Sequence, residues 1–564
     1  MLEEAVADFE SAAKHENKRL SLTGWGRPQT TALQFVVYQP WEALVDCYVQ
    51  LSAPERTFSA MERYRDPILL RMAERFVPSL AAQVAPAEAF ELRQRYEQAA
   101  ACVSALRRQL ELTFVRTDLS PEARQQTIAQ LTKELDEAQF AYVQARSSIL
   151  AAKFVAQPLA DRSSQQTLWE ELRKLRAEEN PLLLEYFVGE ENSYLLAVPP
   201  DGKPITTELT ISEEHAKVLA LRPGKLGRRE LFKVVQKPED GLLSQLQQAS
   251  SEDHIGNLAP KLGVLFEVLI PEELRLQILS GQIRQLVIVP HGPLQLLPFE
   301  ALVVDRALPI RFLVDMGVSI FYSPSVKLML AIHQRKEPGE AELAKQPVLL
   351  VGDCQFQPAA ATELRELPLL SPSAAHVRAG ARWAALPYAS FALEWLASVL
   401  RERGAQRVAW LRRELATERN VRGNVAGRRF IHFATRAFAE DRWRNLFGAI
   451  VLTPGARKDD PRDDGYLTLA EITELPLSFC DLVALSVYST NTEPEHQGEG
   501  CQSLVYGFLL AGARRMLGSN WMVPDESTVR LISVFADYLA QQIKAGQCPN
   551  YARALSQAKS WMRT

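Results

Sequence analysis

The sequence has no window of about eighteen uninterrupted apolar residues, so no transmembrane helix is expected. Its start, MLEEAVADFE, has no basic segment leading into an apolar one, and no secretory leader is expected. No block of like charge stands out and the net charge is only −4, which argues against nucleic acid or an anionic membrane as partner. The six cysteines (Cys47, Cys102, Cys354, Cys480, Cys501, Cys548) are far apart and none forms a CxxC, so neither disulfides nor zinc are expected. There is no P-loop, no GxGxxG after a strand and no HExxH, which leaves an unrelated α/β enzyme without support. These absences predict a reduced, cytoplasmic protein with no cofactor and no metal.

What is present is a long chain with an ordinary apolar content. Its 564 residues exceed one compact core, and about two to four domains are expected. Residues 1–80 are helical. Trp41, Leu44 and Tyr48 fit three of the four opening positions of a tetratricopeptide unit, with Val45 in place of the glycine. A single partial unit has no neighbours to bury its faces, so it is read as a remnant or terminal cap of a helical repeat.

Residues 81–165 carry the clearest periodicity. Leu92, Tyr96, Ala99, Val103, Leu106 and Leu110 alternate spacings of four and three; Ile128, Leu131, Leu135, Ala138, Tyr142, Ala145 and Ile149 do the same. Between them, Ser120-Pro121-Glu122 makes a helix start, with a side-chain cap, a preset φ and a favourable charge. A long antiparallel helical hairpin follows from this. Its stripe serves either packing or a partner.

From Leu168 the texture changes. LLLEYFV and SYLLAV flank the turn-prone GEEN and TELTIS follows, so 166–280 reads as strands and a helical connector. Beyond it, QLVIVP (285–290), VSIFY (318–322), PVLLVGD (347–353), RFIHFA (429–434), DLVALSVY (481–488) and RRMLGSNW (514–521) alternate with helical stretches. Near-continuous apolar strands of this kind predict a mostly parallel central sheet covered on both faces in residues 281–564. KEPGEAELAKQ (336–346) is a surface linker and 366–385 a loop or insertion.

Several segments together resemble a CHAT domain, the bacterial caspase-like module commonly attached to tetratricopeptide repeats. Pro290-His291-Gly292-Pro293-Leu294 and Leu297-Pro298-Phe299-Glu300-Ala301-Leu302 resemble the family's P-D-G-x-L and L-P-F-E-A-L. Further landmarks are Tyr322-Ser323-Pro324-Ser325, Leu386-Pro387 with Glu394, Ala416-Thr417-Glu418, Asp464-Gly465 with Leu467-Thr468, and Asp481-Leu482-Val483 leading into Leu485-Ser486. Gly498-Glu499-Gly500, Phe508, Ala511-Gly512-Ala513, Ser519, Trp521, Val523 and Asp525 complete the set, and Glu62-Arg63 before Leu69-Leu70 is similar to a repeat end. The fold implied is α plus α/β, a helical region followed by a caspase-like domain.

Active members pair a histidine base with a cysteine nucleophile on neighbouring strand ends. The family's H-x-A-T-H-G reads here His432-Phe433-Ala434-Thr435-Arg436-Ala437, and its L-S-A-C-x-T reads Leu485-Ser486-Val487-Tyr488-Ser489-Thr490. The resemblance thus aligns the histidine with Arg436 and the cysteine with Tyr488. Arginine stays protonated and takes no proton, and tyrosine titrates near 10, so no catalytic residue is expected. His432 and Ser489 are the weaker alternatives. Arg436 is read first as pairing with Glu499 or Asp525 in the former cleft, and second as holding a carboxylate of a bound peptide.

The function expected is a non-catalytic pseudopeptidase that binds a protein or peptide partner through its helical half and through the old cleft. The alternative is an active cysteine peptidase of the same clan with a displaced nucleophile or base. The sequence names neither the partner nor an oligomeric state.

Overall fold

The computed structural model describes residues 3–12, 31–73, 86–116, 118–156, 169–174, 181–200, 203–248, 252–334, 348–356, 386, 388–402, 407–438, 446–455, 462–489, 497–519, 525–547 and 549–563. The linker expected at 336–346 and the loop expected at 366–385 lie outside these. Among the described residues no helix is long and apolar enough to cross a membrane.

After α1 (residues 3–12) come α2 (Thr31–Gln50) and α3 (Pro54–Ala73), then α4 (Pro86–Val115) and α5 (Pro121–Ala156). A short helix α6 (residues 169–174) leads into β1 (Leu182–Val188), β2 (Ser193–Val198) and β3 (Ile205–Glu208). A small ribbon of β4 (Thr210–Ile211) and β5 (Gly224–Lys225) follows, interleaved with α7 (Glu213–Leu219), and then α8 (Arg228–Val235), α9 (Leu242–Gln248), α10 (Glu252–Leu269) and α11 (Glu272–Leu279). Next are β6 (Gln285–Val289), the ribbon of β7 (Val303–Asp305) and β8 (Arg311–Phe312), β9 (Ser319–Tyr322) and α12 (Val326–His333).

Strands β3-β2-β1-β6-β9 form one sheet, antiparallel among the first three and parallel from β1 to β9. The strands on either side of residue 280 therefore share a sheet, because β1 pairs along β6 (Leu183 opposite Val287). Side chains alternate between its faces, as the period of two requires. Leu182, Leu184, Tyr186 and Val188 pack with Leu231, Leu262, Leu265 and Phe299. Leu183 and Phe187 face the other way, into a core with Trp41, Leu44, Tyr48 and Phe58. The tetratricopeptide-like positions thus bury themselves against a sheet. Glu185 falls on that same face, fully buried, and its charge is met by Arg65 of α3.

The second sheet is built from β10 (Val348–Gly352), β11 (Val408–Arg412), β12 (Phe430–Phe438), β13 (Ala449–Val451), β14 (Tyr466–Thr468), β15 (Leu482–Ser489) and β16 (Met516–Leu517). Five strands run parallel in the order β11-β10-β12-β15-β16. Where β10 ends at Gly352, β12 continues and takes β13 as a new antiparallel neighbour, with β14 beyond. The helices around this sheet are α13 (Ala389–Glu402), α14 (Glu418–Asn424), α15 (Leu469–Ile472), α16 (Gln497–Leu510), α17 (Asp525–Lys544) and α18 (Tyr551–Trp561). Val421 of α14, Leu469 of α15 and Phe508 of α16 lie on one face with Leu349, Ile431 and Phe433, while α13 and α17 cover Val348, Leu350 and Ala434 on the other. The six apolar runs read as one sheet are thus divided between two, with QLVIVP and VSIFY in the first. Periodicity marks strands but does not say which sheet a strand joins.

Helices α4 and α5 pack as an antiparallel hairpin, with the Ser120 hydroxyl accepting from Ala123 N at 3.2 Å at the start of α5. The two-helix stripe lies in one cluster that also takes in Leu446, Phe447 and Ala470 of the second sheet's unit. The hairpin's seam is consumed within the chain. Helix α18 returns to the first sheet, where Ser556 Oγ donates to Val318 O at 3.0 Å and Lys559 Nζ reaches Glu300 at 2.5 Å.

Candidate functional site

Ligand sites in parallel sheets lie at the carboxyl ends of the strands, where the chain leaves the ladder and its side chains become accessible. In the second sheet this end gathers Asp353 and Cys354 after β10, Arg412 and Arg413 at the end of β11, Arg436 near the end of β12, and the position of Tyr488 on β15. Arg436 and Tyr488 are Cα partners in the β12–β15 register. Adjacent strands are about 4.8 Å apart, so these two positions are immediate neighbours. Arg436 is half-buried. Its guanidinium has no acceptor lone pair; it donates hydrogen bonds and holds carboxylates.

His432 is on the same face of β12, roughly 13 Å away along the strand. It is opposite Ala484 on β15 and Leu350 on β10, and its ring stacks on Phe430 with centroids 6.4 Å apart. Burial pushes the imidazole down to about 4, so it is neutral at ordinary pH. Among the described residues no hydroxyl or thiol hydrogen-bonds to it, and its Nδ1 is buried without a partner. Ser489 is opposite Ala437; Glu499 lies in the first turn of α16 and Asp525 opens α17. The side chains of Tyr488, Ser489, Glu499 and Asp525 fall outside the described residues, as do His496 and Cys548.

Two thiols near the sheet are placed for packing. Cys354 is buried beside Thr435, and burial pushes it up to about 11, against the Thr435 hydroxyl 3.4 Å away. Cys480, which precedes β15, is pushed up to about 12 by burial. Neither offers a thiolate near neutral pH.

The strand ends also contain groups that the sequence reading passed over. Asp353 and Arg413 both have left-handed backbone, with φ of 52° and 50°. They are tied to each other by Arg413 N donating to Asp353 O at 3.0 Å and by a 3.2 Å ion pair. Left-handed conformation is costly for residues other than glycine, and such pairs concentrate where structure over-determines them. Arg412 bonds Glu394 at 2.9 Å and its guanidinium, like that of Arg401, lies over the Trp410 ring. The only forward signal was Glu394 as a landmark. The run VAWLRRE around β11 alternates too weakly to have marked a strand end.

The segments that carried the resemblance act as joints. His291 follows β6 and its Nδ1 accepts from Val188 N at 2.9 Å. Burial holds that ring neutral, so an imidazole nitrogen here accepts the hydrogen bond from the end of β1. Glu300 takes Lys559 and, at 2.5 Å, the Tyr322 hydroxyl. Thr417 caps α14, while Glu418 accepts from Gly465 N at 2.8 Å, which fixes the turn before β14 where Gly465 has φ 96°. Glu62 accepts from Val326 N and Lys327 N at 3.0 and 2.8 Å, closing the start of α12.

No curated protein matches this chain. The family model of the CHAT domain matches residues 259–564, which takes in β6, β9, the whole second sheet and helix α18. That match covers more than half of the sequence, and the chain belongs to the CHAT domain family.

Proposed function

We propose that this protein is a CHAT-domain pseudopeptidase, a caspase-like framework kept as a protein-binding scaffold. The family is peptidase-related. The observation that carries the non-catalytic reading is the pairing of Arg436 with Tyr488 on adjacent strand ends, at the positions the family motifs give to base and nucleophile. A guanidinium takes no proton, and a phenol titrating near 10 is a poor nucleophile at neutral pH. The peptidase alternative needs another pair, and the buried, high-pKa thiols of Cys354 and Cys480 do not supply it. All four described free cysteines suit the reducing cytoplasm in which we place the protein.

Arg436 supports a second role for the cleft, holding a carboxylate of a bound peptide, with pairing to Glu499 or Asp525 as the resting arrangement. On the helical half, the seam is occupied internally. The partner surface is therefore assigned to the exposed side of the hairpin, where Phe90, Leu112 and Phe140 are accessible. The purified chain should leave a peptide library uncleaved, with the Tyr488→Cys plus Arg436→His chain as comparison. Turnover by the unmodified chain sinks the pseudopeptidase reading. Capture with the full chain, repeated with Phe90→Glu and Phe140→Glu together, tests the surface; a partner retained equally by both removes the hairpin from the interface.

A further inference from the structure

The far end of the hairpin's docking surface and the two dyad-aligned positions lie in one row across the second sheet. Tyr466 of β14 is the Cα partner of Val451 on β13, Val451 is the partner of Arg436 on β12, and Arg436 is the partner of Tyr488 on β15. Three strand spacings make this row about 14 Å long. Its outer end is where α4 is attached. The Tyr466 hydroxyl donates to Glu111 of α4, and Arg107, one turn earlier, forms a 3.1 Å ion pair with Asp464 and lies 5.1 Å from the Tyr466 ring centroid. The Tyr466 amide is held by Asp464 at 2.9 Å and by Glu418 at 3.2 Å.

Strands β13 and β14 have three residues each, and such short antiparallel pieces have little stability of their own. What covers them sets their position. Beyond the end of β10, the last residues of β12, Arg436 to Phe438, are paired with β13 on one side, while Arg436 and Ala437 are held by β15 on the other. A displacement of α4 therefore reaches Arg436 through two short ladders. Buried hydrogen-bonded charges resist sliding, because breaking one leaves an uncompensated group out of water.

We propose that the Glu111–Tyr466 contact couples the hairpin to the old cleft, so that a partner shifting α4 against β14 changes the strand end that presents Arg436 and Tyr488. This rests on the partner-binding reading above and gives it a regulatory route. Tyr466 is then a positioning residue, and the hairpin a lever on the cleft.

The hairpin has a second attachment that lies off the row and serves as the control. Tyr96 donates to Glu474 at 2.5 Å, and Arg146 reaches Thr473 at 3.3 Å, both just beyond α15. Amide hydrogen exchange on the full chain separates the two attachments without any partner. Tyr466→Phe and, from the helix side, Glu111→Ala, which removes the acceptor altogether, should each speed exchange at residues 436–438 and 449–451 by about tenfold. Glu474→Gln should speed exchange in α4 and α5 but leave 436–438 unchanged. Unchanged protection of β10 in every variant reports that the sheet is intact. If 436–438 stay protected in both Tyr466→Phe and Glu111→Ala, or open equally in Glu474→Gln, the row is not the route. Partner capture is measured separately, so failure of the binding reading and failure of the coupling are distinguishable.

Discussion

At the scale of single residues, the chain places charge inside its cores and meets it locally. Glu185 is fully buried on β1, and Arg65 bonds both its carboxylate and, at 2.5 Å, Tyr186 O. Glu62 is also within 3.7 Å of Arg65, so two carboxylates face one guanidinium. Burial drives the Glu185 pKa well above the carboxylate range, and the Arg65 charge does not cancel it. The sign follows. A carboxyl whose folded pKa is raised stabilises the fold most fully below its unfolded value near 4.5 and loses that contribution as pH rises through the folded value. Glu185→Gln, which imitates the protonated acid, should therefore raise the melting temperature more at pH ~8 than at pH ~5. Arg65→Ala should cost about 1–3 kcal/mol, since it leaves the buried carboxyl and Tyr186 O without their hydrogen-bond donor. Thermal unfolding at the two pH values checks both. None of this was legible in the sequence, where Glu185 is one polar letter inside LLLEYFV and its partner is 120 positions away.

At the scale of elements, the sequence was most informative where local pattern decides structure. The stripe from Leu92 to Ile149 and the start at Ser120 were readable because helix period and capping are local. What the stripe packs against was not readable, since Leu446, Phe447 and Ala470 are some three hundred residues downstream. The short strands β13 and β14 escaped for a related reason: three residues carry no periodicity. The polar end of the hairpin yields a pH dependence. Burial pushes the Glu111 carboxyl up to about 7, against the lowering effect of the Tyr466 hydroxyl. Asp464 raises it further, and Arg107 and Arg108 oppose that. Docking of α4 should be tightest below about pH 4.5 and loosen as pH rises through about 7. Limited proteolysis in the hairpin at pH ~6 and ~8 measures this, and the contrast should shrink in Glu111→Gln. Equal cleavage at both values would show that Glu111 does not titrate in this window.

At the scale of the whole molecule, the ordered landmarks gave the family while hiding the division of the strands. His291, Glu300, Glu418 and Gly465 recur as joints between elements, so a chain can keep them after its chemistry has changed. Sheet membership depends on pairing across long separations, and no local signal reveals that β1 stands beside β6. One consequence can be measured. The family match begins at residue 259, inside α10, and leaves β1, β2, β3 and the covering helices α2 and α3 outside it. A chain of residues 259–564 alone would expose Val287 and Val289 on the face of β6 that α2 and α3 cover, strip Leu286 and Ile288 of their β1 neighbours on the other, and open the edge that β1 fills. Each such side chain loses on the order of 2 kcal/mol of burial, and an open apolar edge invites association. A chain of residues 181–564 restores the ladder but still uncovers the face that Trp41, Leu44, Tyr48 and Phe58 protect. The shorter fragment should show no cooperative thermal transition. The longer should melt below the full chain and bind a hydrophobic dye in its folded state. Cooperative melting of 259–564 at the full chain's temperature would mean that the second sheet stands alone and that the helical half is an attachment, not a layer of the fold.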